Sequence, residues 1–149
     1  MRVVRIISLI ARLALMAAMV LGLLFWIAQI SFLGMLYHLL VQVGLITIHQ
    51  VLGITGALML LVLALVAVLI RGVRLLGAAG MIYALIVPAL GLTQSQILVG
   101  KLHWIIQAGH LLVGIGAMYL ALEIEKRYLQ LKLGGQSAPH RSRTALQAE

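Results

Sequence analysis

Residues 37–70 read YHLLVQVGLITIHQVLGITGALMLLVLALVAVLI. The stretch holds no Asp, Glu, Lys or Arg, and its few polar side chains are neutral or imidazole. About 20 apolar residues carry a helix across a bilayer, so this run is too long for one simple span. Either its helix protrudes from the membrane, or residues 30–45 form a separate interfacial segment with Gly34 and Gly44 as break points. No alternating period-2 pattern of the kind that marks a β-barrel strand is present.

Three further apolar runs flank it, at about residues 6–30, 74–95 and 99–123. Of the 149 residues, 64% are hydrophobic and 9% charged, and the mean hydropathy is +1.17. A soluble domain carries about one quarter charged residues. The sequence therefore predicts an all-α polytopic membrane protein, a four-transmembrane-helix bundle. Residues 1–130 form its single domain, because four helices in lipid pack as one unit. Residues 131–149 are polar, with Gly-Gly, Ser, Pro and Arg, and are expected to form a disordered tail that leaves His140 solvated. The basic N-terminus precedes an apolar run as in a signal peptide. More spans follow and no A-x-A site appears, so it is read as a retained first helix.

The net charge is +8, but the cations flank the apolar runs, which argues against nucleic-acid binding. Arg2, Arg5 and Arg12 precede the first span, Arg71 and Arg74 separate the second and third, and Lys126, Arg127, Lys132, Arg141 and Arg143 follow the fourth. Only Lys101 falls on the other side. The positive-inside rule then puts both termini in the cytoplasm (N-in/C-in), with Trp26 and Trp104 near the outer interface and Glu123, Glu125 and Glu149 cytoplasmic. Glu123 and Arg127 form an i,i+4 pair that extends the last helix beyond the lipid. A prokaryotic plasma membrane is the expected location. There are no cysteines, which excludes thiolate metal sites, iron–sulfur clusters, disulfides and thioether-linked haem.

Small residues recur at helical spacing in the first span (Ala11, Ala14, Ala18, Gly22) and the third (Gly77, Gly80, Ala84, Pro88, Gly91). They suit close helix packing, and Pro88 is expected to kink its helix. The chemistry lies on the other two spans. His38, Gln42, His49 and Gly53 follow one helical face, and His103, Gln107, His110 and Gly114 follow another. Ionisable side chains in a bilayer are costly and face the bundle interior. The second and fourth spans run in the same direction, so inward imidazoles from both would hold a metal or haem iron between them.

Which histidines pair is open at this level. The repeated His-x-x-x-Gly element joins His49 and Gly53 with His110 and Gly114, the glycine leaving room where a flat macrocycle would lie. Counting helical rise from Arg71 and from Glu123 sets His49 level with His103 instead. A second haem between His38 and His103 is conceivable, but the spacing of eleven residues on one helix and seven on the other disfavours it. Gln42 and Gln107 are suited to a hydrogen bond with an imidazole, a propionate or a quinone carbonyl, or to an ordinary interhelical bond. Lys101 is placed to attract a propionate or to anchor its helix.

This arrangement resembles the four-helix haem b proteins of membranes, the cytochrome b561-like group and one half of haem A synthase. The resemblance covers about residues 6–123 and rests on His49 in IHQVLGITG and His110 in QAGHLLVGIG. The chain differs from haem A synthase in having one bundle and no glutamate in a membrane segment. What the resemblance implies is a haem b bundle competent in electron transfer, with His49 and His110 as axial ligands, His103 the alternative, and quinone or another redox membrane subunit as partner. Two other classes compete: a cofactor-free scaffold or small subunit of a larger complex, and a metal or proton transporter using His103, Gln107 and His110. No nucleophile, carboxylate pair or phosphate loop supports hydrolysis or group transfer.

Overall fold

The computed structural model describes residues 2–30 and 34–134. They form five α-helices: α1 (Arg2–Ile30), α2 (Gly34–Gln42), α3 (Leu45–Val68), α4 (Arg74–Thr93) and α5 (His103–Gly134), with a 3-10 turn at Gln94–Gln96. No strand occurs among the described residues. Four of the helices, α1, α3, α4 and α5, are long and apolar enough to cross a membrane. The chain is an all-helical membrane bundle with four candidate spans.

The overlong second run is two helices. Gly44 adopts φ 73°, a left-handed conformation that costs glycine little, and breaks the chain between α2 and α3. Gly34 opens α2, so both expected break points delimit the short helix. The outer boundaries differ from expectation. The helix α1 begins at Arg2, so Arg2, Arg5 and Arg12 lie on it rather than before it. The last helix starts at His103, four residues later than expected, and continues to Gly134. Residues 131–134 are therefore helix rather than tail, and residues 135–149, His140 among them, lie outside the described residues.

Around the bundle, α1 packs on α3, α3 on α4, α4 on α5 and α5 on α1, which leaves α3 and α5 facing each other across a diagonal. Lipid tails are as apolar as leucine, so association relies on close packing and interhelical hydrogen bonds. The small-residue stripes supply the first. Ala11, Ala14, Ala18, Ala84 and Gly80 are buried, and a Cβ added at Gly56 would lie 2.6 Å from Leu15 Cγ. One at Gly77 would lie 2.6 Å from the backbone nitrogen of Val68. Leu60, Leu63 and Ile124 fill the centre.

Hydrogen bonds fix the register. Ser8, fully buried, donates its hydroxyl to the Ala121 carbonyl at 3.1 Å. One turn deeper, Arg12 reaches back to Glu125, Nη2 to Oε2 3.0 Å. Glu125 is thus packed into the bundle beyond the expected end of the fourth span. Glu123 and Arg127 pair on the same helix as anticipated, at 3.0 Å. Pro88 lies inside continuous α4; lacking an N–H, it leaves the Ala84 carbonyl without its ladder partner.

The α1–α3 and α4–α5 hairpins repeat one another. Ala18-x-x-x-Gly22 on α1 corresponds to Val87-x-x-x-Gly91 on α4, and His49-x-x-x-Gly53 on α3 to His110-x-x-x-Gly114 on α5.

Candidate functional site

His49 and His110 meet between the diagonal helices, their ring centroids 6.4 Å apart and their planes at 66°. The register explains this pairing. Ser8 and Ala121 stand level, and from there Ala18 and His110 lie about 15 and 16.5 Å up their helices. Ala18 in turn holds His49. Rise counted from Glu123 points to His103 because α5 does not end there; it runs eleven residues further.

Each imidazole sits against a glycine of the preceding helix. A Cβ on Gly22 would lie 3.1 Å from His49 Cε1, and one on Gly91 would lie 3.2 Å from His110 Cε1. A helix carbonyl points toward the residue four positions on, so the missing side chain at Gly22 exposes the carbonyl of Ala18 to a second donor. His49 Nδ1–H donates to that carbonyl at 2.7 Å. This fixes the tautomer and leaves Nε2 with a free lone pair, the form that ligates a metal. Phe25 packs edge-on to the same ring, centroids 6.3 Å apart at 89°. His110 Nδ1 is buried and makes no hydrogen bond.

A cavity of about 350 Å³ surrounds the pair, and its lining extends to the end of the bundle that carries the α4–α5 connection. Its size falls in the range of ligand pockets, about 300–1,000 Å³. Gly53 and Gly114 line it, and a Cβ at either would meet nothing within 4 Å. The space above those glycines is open, unlike that at Gly56 and Gly77. Nearer the mouth, Trp26, Gln94, His103 and Gln107 line the cavity. His103 Nδ1–H donates to the Ile97 carbonyl at 3.3 Å, which ties the first residue of α5 to the preceding loop. His38 and Gln42 are exposed on α2 and do not line the cavity.

The structure thus brings together His49, His110, Gly53, Gly114, His103 and Gln107, with the first two in ring-to-ring contact and the last two at the mouth. No group of three or more His, Asp or Glu side chains is arranged to hold a bare metal ion among the described residues. The donor set is a facing imidazole pair. An imidazole nitrogen binds a first-row metal at about 2 Å, so two imidazoles sharing one ion would have centroids about 6 Å apart. The observed spacing and the open space above two glycines fit a flat cofactor held between the two rings.

The seats of the imidazoles were not foreseen from sequence. Gly22, Gly91 and Ala18 read there as ordinary packing residues, and Phe25 carried no signal. The signal available was a glycine near the later end of each of the two helices that lack histidine, Gly22 and Gly91. Comparison of the chain with protein families, curated proteins and solved structures finds no match. Fold and site define a four-helix membrane bundle whose interior cavity is built around a facing imidazole pair.

Proposed function

We propose that the chain is a membrane haem b protein that passes electrons, and that His49 and His110 would hold the haem iron. The observation that carries this reading is the facing pair itself: two imidazoles at 6.4 Å on diagonal helices, beside a cavity kept open by two glycines. When bound, haem supplies one-electron oxidation and reduction, with a potential set by its axial ligands and surroundings. Ala18 holds His49 in the ligating tautomer. Gly53 and Gly114 leave room beside each imidazole, and the walls from α1, α3 and α4 are mostly apolar. His103 and Gln107 offer polar contacts at the mouth.

With both termini in the cytoplasm, as the distribution of cations favours, that mouth faces the outer leaflet. A quinol there, or an exported redox partner, is the expected electron source or sink. A single haem is the expected load, since His38 stands apart from the cavity. A cofactor-free scaffold gives no reason for the open space above Gly53 and Gly114.

The test is the visible spectrum of the detergent-purified protein, oxidised and dithionite-reduced. The expected result is the sharp reduced α-band of a low-spin b haem, lost or altered in His49→Ala and His110→Ala and kept in His38→Ala. A colourless protein after expression with added haem refutes the proposal and leaves the scaffold reading.

A further inference from the structure

We infer that the two imidazoles are inequivalent, His49 being the anchoring ligand and His110 the exchangeable one, so that a small neutral ligand enters on the His110 side. The inference rests on the haem reading for its ligand chemistry, but its structural basis is independent of it.

The two hairpins offer matching seats, yet only one is fully used. His49 is held three ways: by the Ala18 carbonyl at 2.7 Å, by close contact with Gly22, and by the edge of Phe25. All three partners lie on α1, which has no interior proline. On the other side, Gly91 stands four residues after Val87 as Gly22 stands after Ala18. His110 packs against Gly91 through Cε1 and Nε2, no carbonyl holds its ring as Ala18 holds that of His49, and its Nδ1 is buried with no hydrogen bond. The counterpart of Phe25 in the repeat is Gln94, which belongs to the 3-10 turn and leaves no aromatic edge against His110. The seat of His110 is also on the helix that carries Pro88, three residues before Gly91, and so lacks one ladder hydrogen bond.

A ligating histidine whose second nitrogen is held by a carbonyl keeps its ring orientation and gains basicity, and losing that partner costs about 10- to 100-fold in affinity. His49 has this support and His110 lacks it. The imidazole that leaves more readily is therefore His110, and the position it vacates faces α4 and α5 rather than α1.

Two measurements test this on the full-length protein. In haem-loaded material, His110→Ala is expected to keep most of its haem and to bind CO when reduced, shifting the Soret band. His49→Ala is expected to hold about tenfold less haem. Equal retention by the two variants, or the reverse order, overturns the inference, provided both keep wild-type helical content by circular dichroism. The second measurement needs no haem: ¹⁵N spectra of histidine-labelled, haem-free protein. His49 is expected as a single Nδ1–H tautomer with the shift of a strong hydrogen bond, and His110 without that shift. Two alike resonances overturn the inference. A colourless wild type refutes the haem reading and the exchange with it, while the ¹⁵N spectra still decide whether the two rings are held differently.

Discussion

Replacing Gly53 and Gly114 separates the packing of this bundle from its cavity. Both are helical glycines, and a Cβ at either meets nothing within 4 Å outside its own helix. Alanine therefore adds no clash, and it is favoured over glycine in a helix interior by about 0.8–1.0 kcal/mol. The double alanine variant is expected to be more stable by about 2 kcal/mol when haem-free, roughly a 30-fold shift in the folded-to-unfolded ratio. Gly77→Ala is the control. Its Cβ would lie 2.6 Å from the Val68 nitrogen and 2.9 Å from the Ala64 carbonyl. Those are backbone atoms and cannot swing aside, so a loss of about 1–3 kcal/mol is expected. Equilibrium unfolding in mixed SDS and detergent micelles, followed by circular dichroism, measures both. Extending the same positions to leucine puts side-chain bulk into the cavity that both glycines line, so Gly53→Leu/Gly114→Leu is expected to keep its helical content and to lose bound haem. If Gly53→Ala and Gly114→Ala destabilise as much as Gly77→Ala, the cavity is closed in the working protein and the argument for a ligand site collapses.

Breaking the Arg12–Glu125 pair by Glu125→Gln is expected to cost about 2 kcal/mol, between the worth of exposed and buried pairs, because the two side chains are 30% and 13% exposed. A double-mutant cycle with Arg12→Gln that shows no coupling would contradict this. Ser8→Ala is expected to cost only about 0.6 kcal/mol, since the Ala121 carbonyl keeps its ladder partner; the same unfolding assay reads it. The chain has no cysteine, so single cysteines report topology. One at Arg71 is expected to resist a membrane-impermeant maleimide in intact cells and one at Val99 to react, and the opposite pattern would invert the proposed orientation.

The four spans were legible because apolar runs longer than a bilayer leave few alternatives. The break at Gly44 was legible because only a glycine takes φ 73° there without penalty. The end of α5 was not. Glu123 and Glu125 read as a cytoplasmic boundary, but α5 carries its acids on bundle-facing and self-paired positions, with Arg12 answering one and Arg127 the other. Depth counted from Glu123 therefore sets His49 level with His103, although α5 runs on to Gly134. The repeated His-x-x-x-Gly element pointed to His49 and His110 because it marks equivalent positions in two hairpins, and equivalence is insensitive to where a helix stops. The seats of the rings were hidden for a different reason. A backbone carbonyl laid bare by a glycine four residues on leaves no side-chain signature, so Ala18 and Gly22 look like any other pair of small residues.

The division into two hairpins orders the making of the site in time. Chains are built from the N-terminus, so α1 and α3 leave the ribosome before α4 and α5 do. Everything that holds His49 belongs to that first hairpin: Ala18, Gly22 and Phe25. One imidazole can thus be oriented before its counterpart is synthesised. The cavity gains its second half only when α5 docks, and a cofactor that needs both histidines binds only the finished bundle. Such a cofactor stabilises the docked state by mass action, joining two hairpins that translation delivers separately.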